Sequence, residues 1–262
     1  MGFCQYFKNI YKSRYILFCL VERDIINRYR NSLIGVGWTL LTPLGIVGII
    51  GAVYSIVFGT PIEEFIPMLF SGIIPWTFIS SCADGGTNAY ISAEGFITQT
   101  QTPIDVFPLR VAVTSAVNFY FSTLAFYLLY ILLNPLKFGP QMLFIIPGFI
   151  IVFIFGVGIS NLTSFVNLYI RDFAPLQSLI LQALFYITPI IYPIELMKQR
   201  GFDFVYQYNP MYYMIEIVRQ PMLGNYVPSL LIWLIAIGIS LSTFLVSIFI
   251  INKIGRKIVF KF

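Results

Sequence analysis

The sequence predicts an all-α integral membrane protein with six transmembrane helices, and three observations carry that expectation. Its 262 residues are 58% hydrophobic and only 10% charged, with mean hydropathy +0.84, whereas about 25% of a soluble domain is charged. Residues 31–62, 111–136, 138–170 and 220–252 contain no Asp, Glu, Lys or Arg, and each run is long enough to cross a hydrocarbon core of about 30 Å. The 16 Lys and Arg gather almost entirely in the short segments between apolar runs, where water can reach them. A soluble enzyme domain is excluded, and the net charge of +5 is explained by membrane topology rather than by nucleic-acid binding.

Taken in chain order, residues 1–30 precede a transmembrane domain of residues 31–262. In the first segment Phe3, Phe7, Ile10 and Tyr11 recur at helical spacing, as do Leu17, Leu20, Val21 and Ile25, with Lys8, Lys12, Arg14 and Arg23 between them. Such a pattern describes an amphipathic helix lying on the inner leaflet. It serves either as an anchor that orients the first span or as a docking surface for a partner. The segment lacks a long apolar core and a small-residue cleavage site, so it is expected to remain in the mature protein.

The six spans are expected at about 36–58, 65–83, 111–133, 142–167, 174–194 and 228–251. In the first, Gly48, Gly51 and Ser55 form a small-residue stripe suited to close helix packing. Trp38, Tyr54, Phe58 and Trp76 lie near span ends, either as interfacial anchors or as a ring lining a pathway. With both termini in the cytoplasm, twelve of the Lys and Arg fall inside and four outside, which supports that orientation and an even number of spans. Cys4, Cys19 and Cys82 then lie on or beside the reducing side and show no paired spacing.

Two connections stand out. Residues 84–110 contain Gly85, Gly86, Gly95, Pro103 and Pro108, too polar to span and too long for a tight hairpin. A short helix over 87–99 is expected there, as a solvated connector or as an element that fits a cleft on a cytoplasmic partner. Residues 195–227 are apolar and aromatic but broken by Gly201, Pro210, Pro221 and Gly224. Asn209 can cap a helix whose first residue is Pro210, ending near Gln220 and Pro221. About ten residues cannot cross a bilayer, so two short re-entrant or interfacial helices are expected on the outer side.

Chemistry within the chain is constrained by what the sequence lacks. It has no histidine, which excludes imidazole metal sites and histidine-based triads. It has no G-x-x-x-x-G-K-[ST] loop for nucleotide phosphates. No Asp, Glu, Lys or Arg falls inside the six expected spans, which disfavours self-powered ion-coupled transport. The pair Glu63 and Glu64 reads as solvated loop charge, since nothing near it in sequence would raise one pKa. On the fifth span, Ser178, Gln182, Phe185, Tyr186 and Pro189 share a face. Aromatic faces stack on sugar rings while hydroxyls and amides bond their hydroxyls, which suits a sliding carbohydrate chain; packing against neighbouring helices would use the same residues.

The run ERDIINRYRNSLIGVGWTLLTPLG, residues 22–45, resembles the approach to the first span in membrane subunits of type-2 ABC exporters of O-antigen, capsule-like polysaccharide and wall teichoic acid. Arg23 and Asp24, Arg28 to Arg30, Ser32 and Gly35, and Trp38 and Pro43 carry the likeness. NPMYYMIEIVRQPMLG, residues 209–224, is similar to the family's outer loop through Asn209, Pro210, Glu216 and Arg219, and NLYIRDF, residues 167–173, places an Arg-Asp before the fifth span.

The resemblance implies a permease that binds no cofactor itself and pairs with a second copy and with two cytoplasmic ABC ATPase subunits, which hold ATP and Mg. It further implies a bacterial inner-membrane location and a lipid-linked polysaccharide substrate. On that reading Asp84, Asn88, Tyr90, Glu94 and Phe96, with Arg23, Arg28 and Arg30, couple to the ATPase. Tyr54, Phe58, Trp76, Ser178, Gln182, Phe185 and Tyr186 are candidates to line the pathway, which would run mainly along the first, second and fifth spans. Asn209, Pro210, Glu216 and Arg219 would belong to the outer gate. An exporter of a small hydrophobic drug or lipid shares the fold and stands as the alternative, ahead of a membrane-embedded lipid-modifying enzyme and a passive channel.

Overall fold

The computed structural model describes residues 3–29, 32, 34–135, 137–224 and 227–254, and their regular structure is helical. Two helices come first, α1 (Phe3–Lys12) and α2 (Arg14–Tyr29), followed by the apolar α3 (Trp38–Phe58) and α4 (Ile62–Thr87). After a single 3-10 turn at Ile91–Ala93 come the short α5 (Glu94–Gln99), then α6 (Val106–Leu133), α7 (Ile145–Tyr169) and α8 (Phe173–Ile187). Three short helices, α9 (Ile194–Gln199), α10 (Asp203–Gln207) and α11 (Pro210–Met222), lead to α12 (Leu230–Ile254).

Among the described residues, five helices are long and apolar enough to cross a membrane: α3, α4, α6, α7 with its preceding turn, and α12; α8 is a shorter apolar sixth. Each lies on an expected span, but the fifth departs from expectation. Helix stops at Ile187, seven residues short of residue 194. Pro189 has no N–H to give and disfavours helical backbone at Thr188, which is extended with ψ 134°. Fifteen residues rise about 22 Å, less than a full hydrocarbon core.

Buried α4 sits at the centre: 72% of its apolar window is enclosed, against 17% for α3. Phe65, Leu69, Phe70, Ile74, Phe78 and Ile79 of α4 form its core with residues of α6, α7 and α11. Phe78 meets Phe119 of α6 and Phe149 of α7, and the latter two stack at 4.0 Å. Small residues let backbones approach where lipid supplies no hydrophobic drive. A Cβ on Gly158 of α7 would lie 2.9 Å from the backbone nitrogen of Phe244 on α12, and one on Gly86 of α4 would lie 2.8 Å from the backbone of Ser160 on α7. The expected stripe of α3 is used only in part: Gly51 and Ser55 are buried, Gly51 against Ile66, while Gly48 is exposed.

A second small core, Leu20, Tyr90, Ala93, Ile97, Val106 and Phe107, holds α2, the 3-10 turn, α5 and the start of α6 together. On α2 the expected face is buried at Leu20 and Val21, whereas α1 departs from expectation, with Tyr6 buried and Phe7 and Tyr11 exposed. Tyr6 turns inward because its ring meets Phe244 of α12, 5.9 Å away. The helix expected over 87–99 is divided, since α4 runs on to Thr87 and regular α-helix resumes only at Glu94. α4 also extends past its expected ends to take in Glu63, Glu64 and Asp84, and α6 begins early enough to include Arg110.

Candidate functional site

Along one side of the bundle α3, α4 and α8 enclose a groove of about 410 Å³. Five of the seven sequence-predicted pathway residues line it: Trp76 from α4, and Ser178, Gln182, Phe185 and Tyr186 from α8. The spacing of α8 explains why they converge, for Gln177 and Leu181 are buried while Ser178, Gln182 and Tyr186 are exposed. Trp76 and Phe185 bring their rings within 5.5 Å at an angle of 49°.

Thr77, Ser80 and Asp84 also line the groove. The first two went unread in the sequence because single hydroxyls in an apolar run are common in packed helices. Asp84, expected at the coupling surface, instead accepts hydrogen bonds from Gln177 Nε2 at 3.2 Å and Ser178 Oγ at 3.4 Å, tying the end of α4 to α8. Tyr54 lies beyond the groove, yet Ile46 and Ile50 in its wall recur at four-residue spacing toward Tyr54 on the same face of α3. Phe58 belongs elsewhere, in a cleft of about 640 Å³ that it shares with Glu63, Glu64, Asn134, Lys137 and Glu195.

Beyond the end of α8, the residues expected at an outer gate form a buried fastening. Asn209 caps α11 by accepting from Met211 N at 2.9 Å, with Pro210 as first helical residue, and its Nδ2 donates to Thr188 Oγ1 at 2.8 Å. Arg219 donates to Glu216 Oε1 at 2.9 Å, to Pro189 O at 2.8 Å and to Ile190 O at 3.3 Å. The carbonyls of the broken chain after α8 have no helical partners, and in a low-dielectric interior such groups must be satisfied. Arg219 therefore supplies donors where Pro189 ended the ladder. It fits because residue 72 is glycine: a Cβ there would collide with Arg219 Nη2. Gly72 was missed, since one glycine in an apolar run does not name its neighbour. Of the four expected gate residues, Pro210 alone is exposed; Asn209, Glu216 and Arg219 are buried, and Asn209 and Arg219 bond the chain at the end of α8.

At the opposite end, the expected coupling residues divide into three groups. Asn88, Glu94, Phe96 and Arg23 are exposed around α5, with Arg23 over the Phe96 ring at 5.7 Å. Tyr90 is completely buried, so it secures the turn against α2 instead of presenting a surface. Arg28 lines a separate hollow between α3, α4 and α6, and Arg30 lies outside the described residues.

Behind α5, Asn9 of α1 donates to Asp105 Oδ2 at 3.1 Å, and Arg110 Nε of α6 pairs with Asp24 Oδ2 of α2 at 2.9 Å. Burial pushes the Asp105 carboxyl above its ordinary range, opposed by the Asn9 bond. Burial likewise pushes the Tyr6 and Tyr90 phenols up, with the Asp105 charge acting in the same direction. Asn167 links the same end internally, donating to Thr87 O at 2.8 Å and accepting from Ala174 N at 3.2 Å.

The family described as ABC-2 type transporter matches residues 15–223. An O-antigen export system permease protein RfbA of Myxococcus xanthus is 26% identical over 198 residues, 74% of each chain. A protein of the same description from Klebsiella pneumoniae is 27% identical over 206 residues, 78% of this chain and 79% of its own.

Proposed function

We propose a substrate and a direction of transport for this chain, which belongs to the ABC-2 type transporter family and is a membrane component of such a transporter. It is a multi-pass permease without a nucleotide-binding domain or cofactor, and permeases of this family pair with separate ABC ATPase subunits. The substrate is a lipid-linked, O-antigen-like polysaccharide, moved outward across the cytoplasmic membrane of a bacterium. Two copies of the chain and two ATPases form the working unit, with both termini of each copy in the cytoplasm.

The observation that carries this reading is the α3/α4/α8 groove, where Trp76, Phe185 and Tyr186 stand beside Ser178, Gln182, Thr77 and Ser80. Aromatic faces hold sugar rings without fixing their register, and the hydroxyl and amide groups exchange one sugar hydroxyl for the next. A polymer of repeating units can slide along such a wall, whereas an apolar drug makes no use of the amide. The flanking faces of α3 and α8, exposed at Ile49, Val53, Leu179 and Ile180, are the surfaces on which the second copy closes the pathway. The O-antigen export permeases that this chain resembles support the same substrate class.

ATP binding draws the two ATPases together, and the motion enters through α5, where Glu94 and Phe96 are exposed beside Arg23. Tyr90 and the second core carry it to α2 and α6. At the other end α11 is the fixed point against which α8 moves. The test is ATP-driven export of a lipid-linked glycan by the permease and its ATPase in proteoliposomes. Export that falls at least about tenfold in Trp76→Ala and Gln182→Leu, with ATPase binding intact, supports the reading. Extrusion of a hydrophobic dye, with no movement of glycan, would replace the substrate with a small lipid or drug.

A further inference from the structure

Among the described residues that line the α3/α4/α8 groove there is no lysine or arginine, and the one charged group is Asp84. The three helices extend that bias over their full length. α3 and α8 contain no Asp, Glu, Lys or Arg, and α4 contains Glu63, Glu64 and Asp84 but no cation. Glu63 and Glu64 line the cleft at the other end of α4, where Glu195 adds a third carboxylate and Lys137 a single ammonium. Arg28 lines the separate hollow between α3, α4 and α6, not the groove.

Helix stability does not explain Asp84. It stands in the last turn of α4, against the negative end of the helix dipole, where a cation is favoured and an acid is not. Its bonds do not require the charge either. Gln177 Nε2 and Ser178 Oγ both donate to Oδ1, at 3.2 and 3.4 Å, and an asparagine oxygen would accept them as well. No bond from the described residues reaches Oδ2, and the exposed side chain lines the groove. One carboxylate oxygen is thus fixed by α8 while the other is left for whatever occupies the groove.

A pathway wall of one sign selects against passengers of the same sign, as anion pores are lined by Lys and Arg and cation pores by Asp and Glu. Low-dielectric walls focus such a field, which changes rates of entry by about 10- to 1,000-fold. A polymer with a phosphate or carboxylate in every repeat would bring its charges past Asp84 in succession, and no cation on α3, α4 or α8 would offset them. A neutral repeat meets the same carboxylate favourably: a sugar hydroxyl donates to Oδ2 while the ring stacks on Trp76 or Tyr186. We infer that the groove selects a glycan whose repeat units carry no phosphate or carboxylate, and that Asp84 sets this charge preference. The inference rests on the polysaccharide reading and narrows its substrate class. A second copy related by a two-fold axis repeats the same groove, so it strengthens the preference instead of cancelling it.

The test uses the full permease with its ATPase in proteoliposomes and two polyisoprenyl diphosphate glycans of equal length, one of neutral hexose repeats and one with a uronic acid in each repeat. Both carry the same lipid diphosphate, so they differ only in the acid group of the repeat. ATP-driven export of the neutral glycan should exceed that of the acidic one by at least about tenfold at low salt. Raising the ionic strength from about 0.01 M to about 0.15 M shortens the Debye length from about 30 Å to about 8 Å and should narrow the ratio. Asp84→Asn keeps the acceptor for Gln177 and Ser178 and should narrow it as well. The ratio is the decisive readout, since damage to folding or coupling lowers both rates alike. If Asp84→Asn does not elute as wild type, the salt dependence of the unaltered permease carries the test. Equal export of the two glycans by the unaltered permease overturns the inference and leaves the polysaccharide reading standing. A ratio that Asp84→Asn leaves unchanged, or that salt does not narrow, overturns it too. Export of neither glycan, with a hydrophobic dye moved instead, defeats the polysaccharide reading itself.

Discussion

Each end of the bundle holds an arginine–carboxylate pair, set in different surroundings. In α11, Arg219 and Glu216 are neighbours on one helix, both about nine-tenths buried, and Arg219 Nη1 and Nη2 also donate to the carbonyls of Pro189 and Ile190. At the other end, Arg110 of α6 reaches across to Asp24 of α2, and the Asp24 side chain is 26% exposed. The first pair closes a gap that proline makes in a helix and lies away from solvent. The second joins two separate helices at the border of solvent, where a modest change of position exchanges the contact for water. A buried charge bonded to several backbone and side-chain groups makes a fixed point, and a bridge between elements with one partly exposed partner makes a more adjustable one.

The sharpest way to break this comparison is Arg219→Leu. It strands Glu216 and two carbonyls in a low-dielectric interior, so stability should fall by about 3–5 kcal/mol, read by thermal unfolding of the detergent-solubilised protein. Arg219→Lys should recover only part of that loss, since one ammonium cannot replace the guanidinium fork. Unfolding of Arg219→Leu at the wild-type temperature would show that the α11 pair is not a fixed point.

Next in size is Gly72→Ala, which places a methyl group where the guanidinium of Arg219 lies. A cost of about 1–3 kcal/mol is expected, and it should vanish when combined with Arg219→Leu. A double-mutant cycle measures that dependence.

Asp24→Asn sharpens the other half of the comparison. The partly solvated pair should cost only about 1 kcal/mol of stability, while ATP-driven export falls by a larger factor than ATPase binding does. Equal losses in both readouts would assign the pair to structure alone.

The smallest effect is a dependence on pH from Asp105. Burial raises its folded-state pKa above the ordinary 3.8, so as pH rises from that value the unfolded chain releases its proton first. The folded state then binds more protons than the unfolded one, and stability falls with rising pH until the folded-state carboxyl ionises. Asp105→Asn keeps an acceptor for Asn9 and should flatten the unfolding profile over that window.

Much of this architecture is legible in the residue order, because crossing a bilayer demands long runs without charge, and such runs are visible before any contact is known. The cap at Asn209 and Pro210 is equally local: one side chain and one missing N–H decide it. The α8 face was legible by the same logic, since helical periodicity places Ser178, Gln182 and Tyr186 together. What the periodicity did not specify was the opposite wall. Thr77 and Ser80 are ordinary residues of an apolar helix until α4 is set beside α8.

The family resemblance also implied that Tyr90 and Asp84, both in the polar connector, belong to a coupling surface. Packing encloses Tyr90 in the second core, while α4 continues to Thr87 and brings the exposed Asp84 against α8. Residue order therefore settled the membrane class, the approximate spans and the local caps, all of which depend on near neighbours and on the energy of charge in hydrocarbon. Tertiary structure decided where Arg219 goes, why residue 72 must be small, and which helices stay thinly covered. Those outcomes depend on groups far apart in the chain sharing one low-dielectric volume, where each donor must find its acceptor among whatever residues packing brings near.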